Sequence, residues 1–343
     1  MPTPSTLAWT DVDRRIWEEE LEDFVPLTVF DAHTHLYLWD NNTDPHKADT
    51  PMGEQVGAKF PCSDWAAINA CDATLLPDRR VHRLSFPYPF PVSCDFRGSN
   101  RFVLQETAAD PSSAALMLVH PSMTEDDLET QISQGFLGFK PYRFYSATGD
   151  AVDCRITDFL PEHQIGVADR HSLIVMLHLS RRDAVADRQN LDDLVRLGSR
   201  YPRVQWVLAH CARSYSDWPI RRAMPVLRTL PNVWYDTSSV CESDAIQALL
   251  EGVGSERVMY GSDNLPVGAF RGKYVSFGYA WAYLSESNQS LDLLHCEAGM
   301  SFTLYEQLRA MRRAARRMGL AANQVEAIFS GNATRLIQSV RRG

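Results

Sequence analysis

FDAHTHL, residues 30–36, places two histidines two positions apart in an otherwise apolar run. Side chains on a β-strand alternate faces, so His33 and His35 project to one side, at the carboxyl end of a strand read as LTVFDAH, residues 27–33. Two imidazoles this close inside an apolar interior each need a hydrogen-bond partner, and protonating both is costly. A divalent ion would satisfy both neutral nitrogens at once. A hydrogen-bonded histidine pair is the plain alternative, and the rest of the chain decides between the two.

From this strand onward, short β-branched or aromatic runs alternate with longer helix-like segments, the pattern of repeated βα units around a parallel sheet. Strands are expected at 27–33, RRVHRLSF (79–86), ALMLVH (115–120), GFLGFK (135–140), LIVMLH (173–178), VQWVLAH (204–210), NVWYDT (232–237) and RVMYGSD (257–263). Helices are expected at 64–76, 100–110, 124–134, 156–171, 190–201, 217–230 and 243–252, several of them opening with Asp, Asn or Thr where an N-cap is wanted. Eight strands with intervening helices fit a (β/α)8 barrel better than an open doubly wound sheet, and neither GxGxxG nor a P-loop argues otherwise. The expected fold is therefore an α/β TIM barrel forming one domain over residues 1–343. It divides into an N-terminal helical extension (1–26), a barrel core (27–299) and extra C-terminal helices (300–343). The Trp-, Asn-, Asp- and Pro-rich stretch from Tyr37 to Pro61 is long for a plain connection and is expected to cover part of the barrel mouth.

The 343 residues are 45% apolar with a net charge of −9, which suits a soluble core and argues against nucleic acid as a partner. The one basic run, RAMRRAARR at 309–317, reads as the solvated face of a helix. The N-terminus is acidic where a signal peptide needs a basic start, and no apolar run of about 18 residues follows, so a cytoplasmic, non-membrane protein is expected. The seven cysteines (Cys62, Cys71, Cys94, Cys154, Cys211, Cys241 and Cys296) lack CxxC spacing and read as reduced, structural thiols.

Three more polar residues terminate apolar runs just before a loop: His178 on strand five (VMLHLS), His210 on strand six (VLAHCA) and Asp263 on strand eight (YGSDNLP). Barrel active sites draw their residues from those carboxyl ends. Four histidines and an aspartate placed on one rim by one counting rule are poorly explained as separate core residues.

HxH on the first strand, His on the fifth and sixth, and Asp on the eighth resemble the metal signature of the amidohydrolase superfamily. The chain looks like a member of its amidohydrolase-2 branch, the group that contains the aminocarboxymuconate-semialdehyde decarboxylase-like enzymes. The resemblance runs over about residues 28–337 and includes VMYGSDNLP and the closing IFSGNATRLI. It implies that His33, His35, His178 and Asp263 bind one divalent ion with water in the open position. His210 would stand beside the ion, as acid/base or to polarise a substrate oxygen. Mixed nitrogen and oxygen ligation suits Zn2+, with Mn2+ and Fe2+ as alternatives, and Asp263 would accept the proton of the activated water.

Lys140 ends strand four, where two-metal relatives carry a carboxylated lysine bridging both ions. GFKPYR also resembles the uncarboxylated lysine common in this branch, and that reading is preferred, with Lys140 meeting the substrate or a salt-bridge partner. Arg143, Arg181, Arg182 and Arg213 follow the strand ends that bear Lys140, His178 and His210. Lys140, Arg143 and Arg213 are therefore the candidate contacts for an anionic, carboxylate-bearing small molecule, although surface ion pairs would explain some of these arginines. Cys211 is expected to turn away from the side that His210 occupies and to be a packed thiol. His82 and His120 read as hydrogen-bonded core residues, and His46, His163, His171 and His295 receive no role. Trp39, Trp65 and FPYPFP (86–91) read either as lid packing or as a surface that stacks on the substrate.

The expected activity is metal-dependent hydrolysis of an amide, lactone or related carbonyl compound. The alternative is a non-oxidative decarboxylase or hydratase-type lyase on the same site. A sensor or scaffold without turnover is disfavoured because His210 and Asp263 are both present. A homodimer is expected, as relatives commonly pair.

Overall fold

The computed structural model describes residues 7–285 and 299–342; His295 and Cys296 lie outside the described residues. The eight expected runs form strands β1 Thr28–Leu38, β2 Arg80–Pro87, β3 in two pieces (Ala114–Ala115 and Met117–Val119), β4 Gly138–Pro141, β5 Ile174–Leu177, β6 Gln205–Leu208, β7 Val233–Asp236 and β8 Val258–Met259. Neighbours pair in parallel from β1 to the first piece of β3, and from its second piece to β8. Leu116 N–H donates to Ser85 O and Leu137 N–H to Ala115 O, both at 2.9 Å, and carry the ladder across the break in β3. The ring closes where Ala32 N–H donates to Tyr260 O and Asp263 N–H to His33 O, each at 2.9 Å.

The helical layer follows the sequence pattern closely. Asp64, Asp95, Thr124 and Asp187 cap helices Trp65–Leu75, Phe96–Thr107, Glu125–Ile132 and Arg188–Arg200 through their side chains, satisfying orphan N–H groups of the first turn. The segment expected as one helix over 156–171 is two, Ile156–Phe159 and Glu162–Arg170. Pro161 lacks the N–H that a continuing helix needs and stands as the N-cap of the second.

Helix Thr303–Met318 packs beside Ser243–Val253 in the outer ring. The N-terminal segment Asp11–Leu21 clasps it, with Trp17 stacked on Tyr305 and Glu20 paired to Arg309 at 2.9 Å. Part of the 309–317 basic run is thus engaged rather than freely solvated: Arg309 and Arg312 face Glu20, and Arg317 pairs with Asp244.

After β8 the chain makes an antiparallel hairpin, β9 Gly272–Phe277 and β10 Ala280–Ser285, which the sequence reading left out. Its turn uses Gly278 at φ +61°, a conformation that suits glycine. The segment after β1 folds back so that Cys62–Ser63 pairs antiparallel with Tyr37–Leu38, while Trp39 packs on Phe90 and Phe60 on Phe270. Among the described residues no helix is long and apolar enough to cross a membrane.

Candidate metal centre

The centre is built where β1 meets β8. His33 and His35 are buried with ring centroids 5.4 Å apart, and each is held through Nδ1. His33 Nδ1 lies 2.9 Å from Asp236 Oδ2, and His35 Nδ1 lies 3.3 Å from the carbonyl oxygen of Pro87. The Asp236 carboxylate only accepts, so His33 Nδ1 carries the proton and its Nε2 keeps a bare lone pair, whereas His35 has an acceptor at each nitrogen, Pro87 O at Nδ1 and Asp263 Oδ1 at Nε2. Burial, reinforced by the Lys140 charge, pushes His33 down to about 3; burial also lowers His35, so both rings are neutral near pH 7.

Both Nε2 atoms face one carboxylate oxygen. Asp263 Oδ1 lies 3.2 Å from His35 Nε2 and 3.4 Å from His33 Nε2, and His33 Nε2 is buried with no hydrogen-bond partner. Burial works to raise the Asp263 carboxyl, but its contacts with His35, His33 and His210 outweigh that and hold it well below the usual range. With both imidazoles in the Nδ1–H tautomer these are three electron-pair donors, and a cation among them would relieve their repulsion. Donor atoms around a tetrahedral zinc, with bonds of about 2.0–2.1 Å, lie about 3.3–3.4 Å from one another. The two measured spacings fit that arrangement.

Asp263 lies beyond the end of β8 with φ +61°, in a turn secured by Asp31. That buried carboxylate accepts the backbone N–H of Ser262 at 2.8 Å, that of His33 at 3.0 Å, and the Ser262 hydroxyl, so it ties the β1 ligands to the turn that carries the third. Gly261 leaves room for this contact: a Cβ there would stand 2.7 Å from His33 Cβ.

His210 does not end a strand, because β6 stops at Leu208. His210, Cys211, Ala212 and Arg213 form a left-handed turn with φ between +49° and +59°, closed by Ser214 N–H donating to His210 O at 2.9 Å. Four consecutive non-glycine residues in this conformation are rare and cost of order 1–2 kcal/mol each, the kind of strain that clusters at functional sites. Asp236 Oδ1 accepts the His210 N–H at 2.9 Å and helps fix the turn. Strand alternation therefore says nothing about Cys211, although its thiol is buried and pushed well up by that burial, in keeping with a packed role.

His178 follows β5 with its ring centroid 5.2 Å from that of His210 and its Nδ1 buried without a partner. It stands beside the close set formed by His33, His35 and Asp263 rather than within its 4.8 Å mutual spacing. Lys140 is buried with Nζ lacking any hydrogen-bond partner and lying 4.5 Å from the Phe86 ring centroid. Burial pushes it down to about 8, against the pull of Asp236 and Asp263. Arg143 has a buried, unpartnered Nε and spends Nη1 on Ala151 O, while Arg213 donates to the carbonyls of Ser180 and Arg181. No described carboxylate pairs with Lys140, Arg143 or Arg213. Arg181 instead pairs with Asp187 at 2.9 Å.

Four other described histidines have their partners elsewhere. His82 pairs with Asp110, His171 with Glu129, His163 with Met123 O, and His120 with Ser122. Trp39 and Trp65 pack, the latter over Arg83, whereas Tyr88 of FPYPFP stands with its ring centroid 5.2 Å from that of His35. The sequence reading missed Asp236, Ser238 and Ser239. Asp236 accepts hydrogen bonds from the His33 Nδ1–H and from the His210 and Ser238 N–H groups, and His33 heads the influences that hold it low against burial. The signal available was a polar residue ending the apolar run NVWYD, the same rule that found Asp263.

The amidohydrolase family model matches residues 30–338. No curated protein matches the chain. Among solved structures, an amidohydrolase from Burkholderia multivorans with bound zinc aligns at TM-score 0.58 and 16% identity, covering 91% of this chain and 99% of its own. A putative 2-pyrone-4,6-dicarboxylic acid hydrolase from Pseudomonas putida aligns at 0.56 and 18%, covering 92% and 98%. A 2,6-dihydroxybenzoate decarboxylase complexed with 2,6-dihydroxybenzoate aligns at 0.55 and 13%, covering 92% and 99%. At these identities the likeness carries the fold, and the match over residues 30–338 carries the family: the chain is an enzyme of the amidohydrolase superfamily and belongs to its amidohydrolase-2 branch.

Proposed function

We propose that this enzyme hydrolyses a small, carboxylate-bearing amide, lactone or related carbonyl compound. His33, His35, His178 and Asp263 would hold a divalent ion, Zn2+ being the one this donor set suits best. The observation that supports the reading most is the convergence of the two imidazole Nε2 atoms on Asp263 Oδ1 at 3.2 and 3.4 Å. When bound, such an ion lowers the pKa of water toward about 7 and polarises a substrate oxygen.

The chain's own groups supply the rest. Asp263 takes the proton released by the attacking water and passes it to the leaving group. His210 has Nδ1 engaged by Ser238 O at 3.0 Å and by Ser238 Oγ at 2.9 Å, which keeps the proton on Nδ1 and leaves Nε2 as the edge that takes up a proton and, once protonated, donates to a developing oxyanion. Lys140, Arg143 and Arg213 receive the substrate carboxylate, supported by the unpartnered Lys140 Nζ and Arg143 Nε.

Non-oxidative decarboxylation or hydration is the second reading, favoured by Lys140. A buried ammonium near Asp263 and Asp236, with no acceptor of its own, suits an enolate or phenolate oxygen as well as a carboxylate.

A carboxylate library of lactones, amides and aromatic acids, assayed in 18O-water with carbon dioxide detection, separates the two. Solvent oxygen in a newly formed carboxylate supports hydrolysis, solvent oxygen in a new carbinol hydroxyl supports hydration, and carbon dioxide release without label in the organic product supports decarboxylation. Metal analysis of the wild type beside His33→Ala tests what both share. A wild type that carries no divalent metal and keeps its turnover after chelation overturns both.

A further inference from the structure

The two oxygens of Asp263 have different partners. Oδ1 faces the imidazoles, while Oδ2 accepts a hydrogen bond of 2.6 Å from the hydroxyl of Ser239. Ser239 lies three residues past the end of β7, almost wholly buried, with φ +60°. Its N–H donates to Gln307 Oε1 at 3.0 Å, and Gln307 Nε2 donates to Gly261 O at 2.7 Å. Gln307 comes from helix Thr303–Met318 and is fully buried, so one amide reaches in from the outer ring and joins the ends of β7 and β8. Only one orientation of that amide satisfies both contacts, since the Ser239 N–H must meet an acceptor and the Gly261 carbonyl a donor.

This linkage acts on a soft torsion. The terminal torsion of an aspartate is broad and two-fold, so a free Asp263 carboxylate would turn and share both oxygens among the imidazoles. A hydroxyl-to-carboxylate bond of this length is charge-assisted and holds Oδ2 aside, leaving Oδ1 alone toward His33 and His35. Mutation of groups that orient ligands in this way typically weakens metal binding.

We propose that Ser239, held by Gln307, is a positioning residue that selects which oxygen of Asp263 is offered to the metal and so sets the grip of the centre on its ion. This rests on the metal-dependent reading above.

The test uses Ser239→Gly in the full-length protein. Glycine accepts φ +60° without strain, so the substitution removes the hydroxyl without a backbone penalty. Zinc affinity is measured by competition with a chromophoric chelator, beside thermal melting of the metal-free protein. We expect zinc affinity to fall about 10–100-fold with no loss of metal-free melting temperature, and Gln307→Leu to weaken zinc in the same direction. In an Asp263→Ala background, Ser239→Gly should have no further effect, as the coupling between the two requires. If the wild type binds zinc and Ser239→Gly binds it equally well, or if the loss persists in the Asp263→Ala background, the positioning role is overturned and the metal reading stands. If the wild type binds no divalent ion, the metal reading itself falls and this role falls with it.

Discussion

Asp236 Oδ2 stands 2.9 Å from Nδ1 of His33, while its other oxygen receives the His210 N–H at 2.9 Å, so one buried carboxylate orients an imidazole of the proposed metal set and the backbone of its neighbour. An aspartate placed to fix a ligand's tautomer is as much a part of a metal site as the ligand itself.

Asp236→Asn keeps the shape and removes the charge. An asparagine cannot accept on both oxygens, so either the His33 Nδ1–H or the His210 N–H loses its acceptor. Zinc affinity should fall about 10–100-fold in a chelator competition. Unchanged affinity would mean that the His33 tautomer is set by something other than Asp236.

Gly261→Ala tests the room behind His33. The added Cβ would stand 2.7 Å from His33 Cβ and 3.3 Å from the His33 nitrogen and from Ser238 Cβ. Overpacking of this kind costs about 1–3 kcal/mol, and here the displaced group is the proposed ligand. Melting temperature and zinc affinity should both drop; a variant that melts and binds as the wild type does would show that β1 shifts freely.

Lys140 gives a pH dependence with a definite sign. Burial lowers it from 10.5 to about 8, so an anionic substrate loses its ammonium partner as pH rises through about 8, and kcat/KM should decline there. Lys140→Met should remove that decline while lowering kcat/KM at neutral pH. Between about 8 and 10.5 the unfolded chain holds this proton more tightly than the folded one, so the folded state bears its full penalty below about 8 and sheds it as pH rises toward 10.5. Lys140→Met should accordingly melt higher than wild type at pH 7, by a margin that narrows at alkaline pH.

Arg143→Leu probes anion recognition. A hydrogen bond to a charged group contributes about 1.5–3 kcal/mol, so KM for a carboxylate substrate should rise about 10–100-fold with little change in kcat. A neutral ester of the same substrate should show almost no effect. An equal loss on both compounds would place Arg143 outside the carboxylate contact.

The barrel was readable because its signal is repetitive: eight apolar runs at βα spacing, with polar residues ending the first, fifth, sixth and eighth. Strand parity and rim position placed His33, His35 and Asp263 together, and the resemblance gave them their expected ligand role. Asp236 obeys the same rule but looks like an ordinary turn residue in YDTSS, and nothing in one sequence separates a tautomer-fixing carboxylate from a strand-ending one. The corner at His210–Arg213 was hidden for another reason: HCAR contains no glycine, so local propensity argues against the left-handed form that tertiary contacts impose. The β9–β10 hairpin had a visible signal, aromatic and β-branched residues on both sides of Gly278, in a stretch after the eighth strand to which no element was assigned.

That corner has a bearing on how the enzyme can change. It bears His210 at its first residue and Arg213 at its last, so the group proposed to act on the reacting atoms and the group proposed to meet the substrate's charge are welded into one short unit. A substitution that relaxes it would disturb chemistry and recognition together. New substrate preferences would then have to be sought in the surrounding walls, such as Tyr88 or the aromatic face that the hairpin lays against Tyr215, while this turn stays fixed.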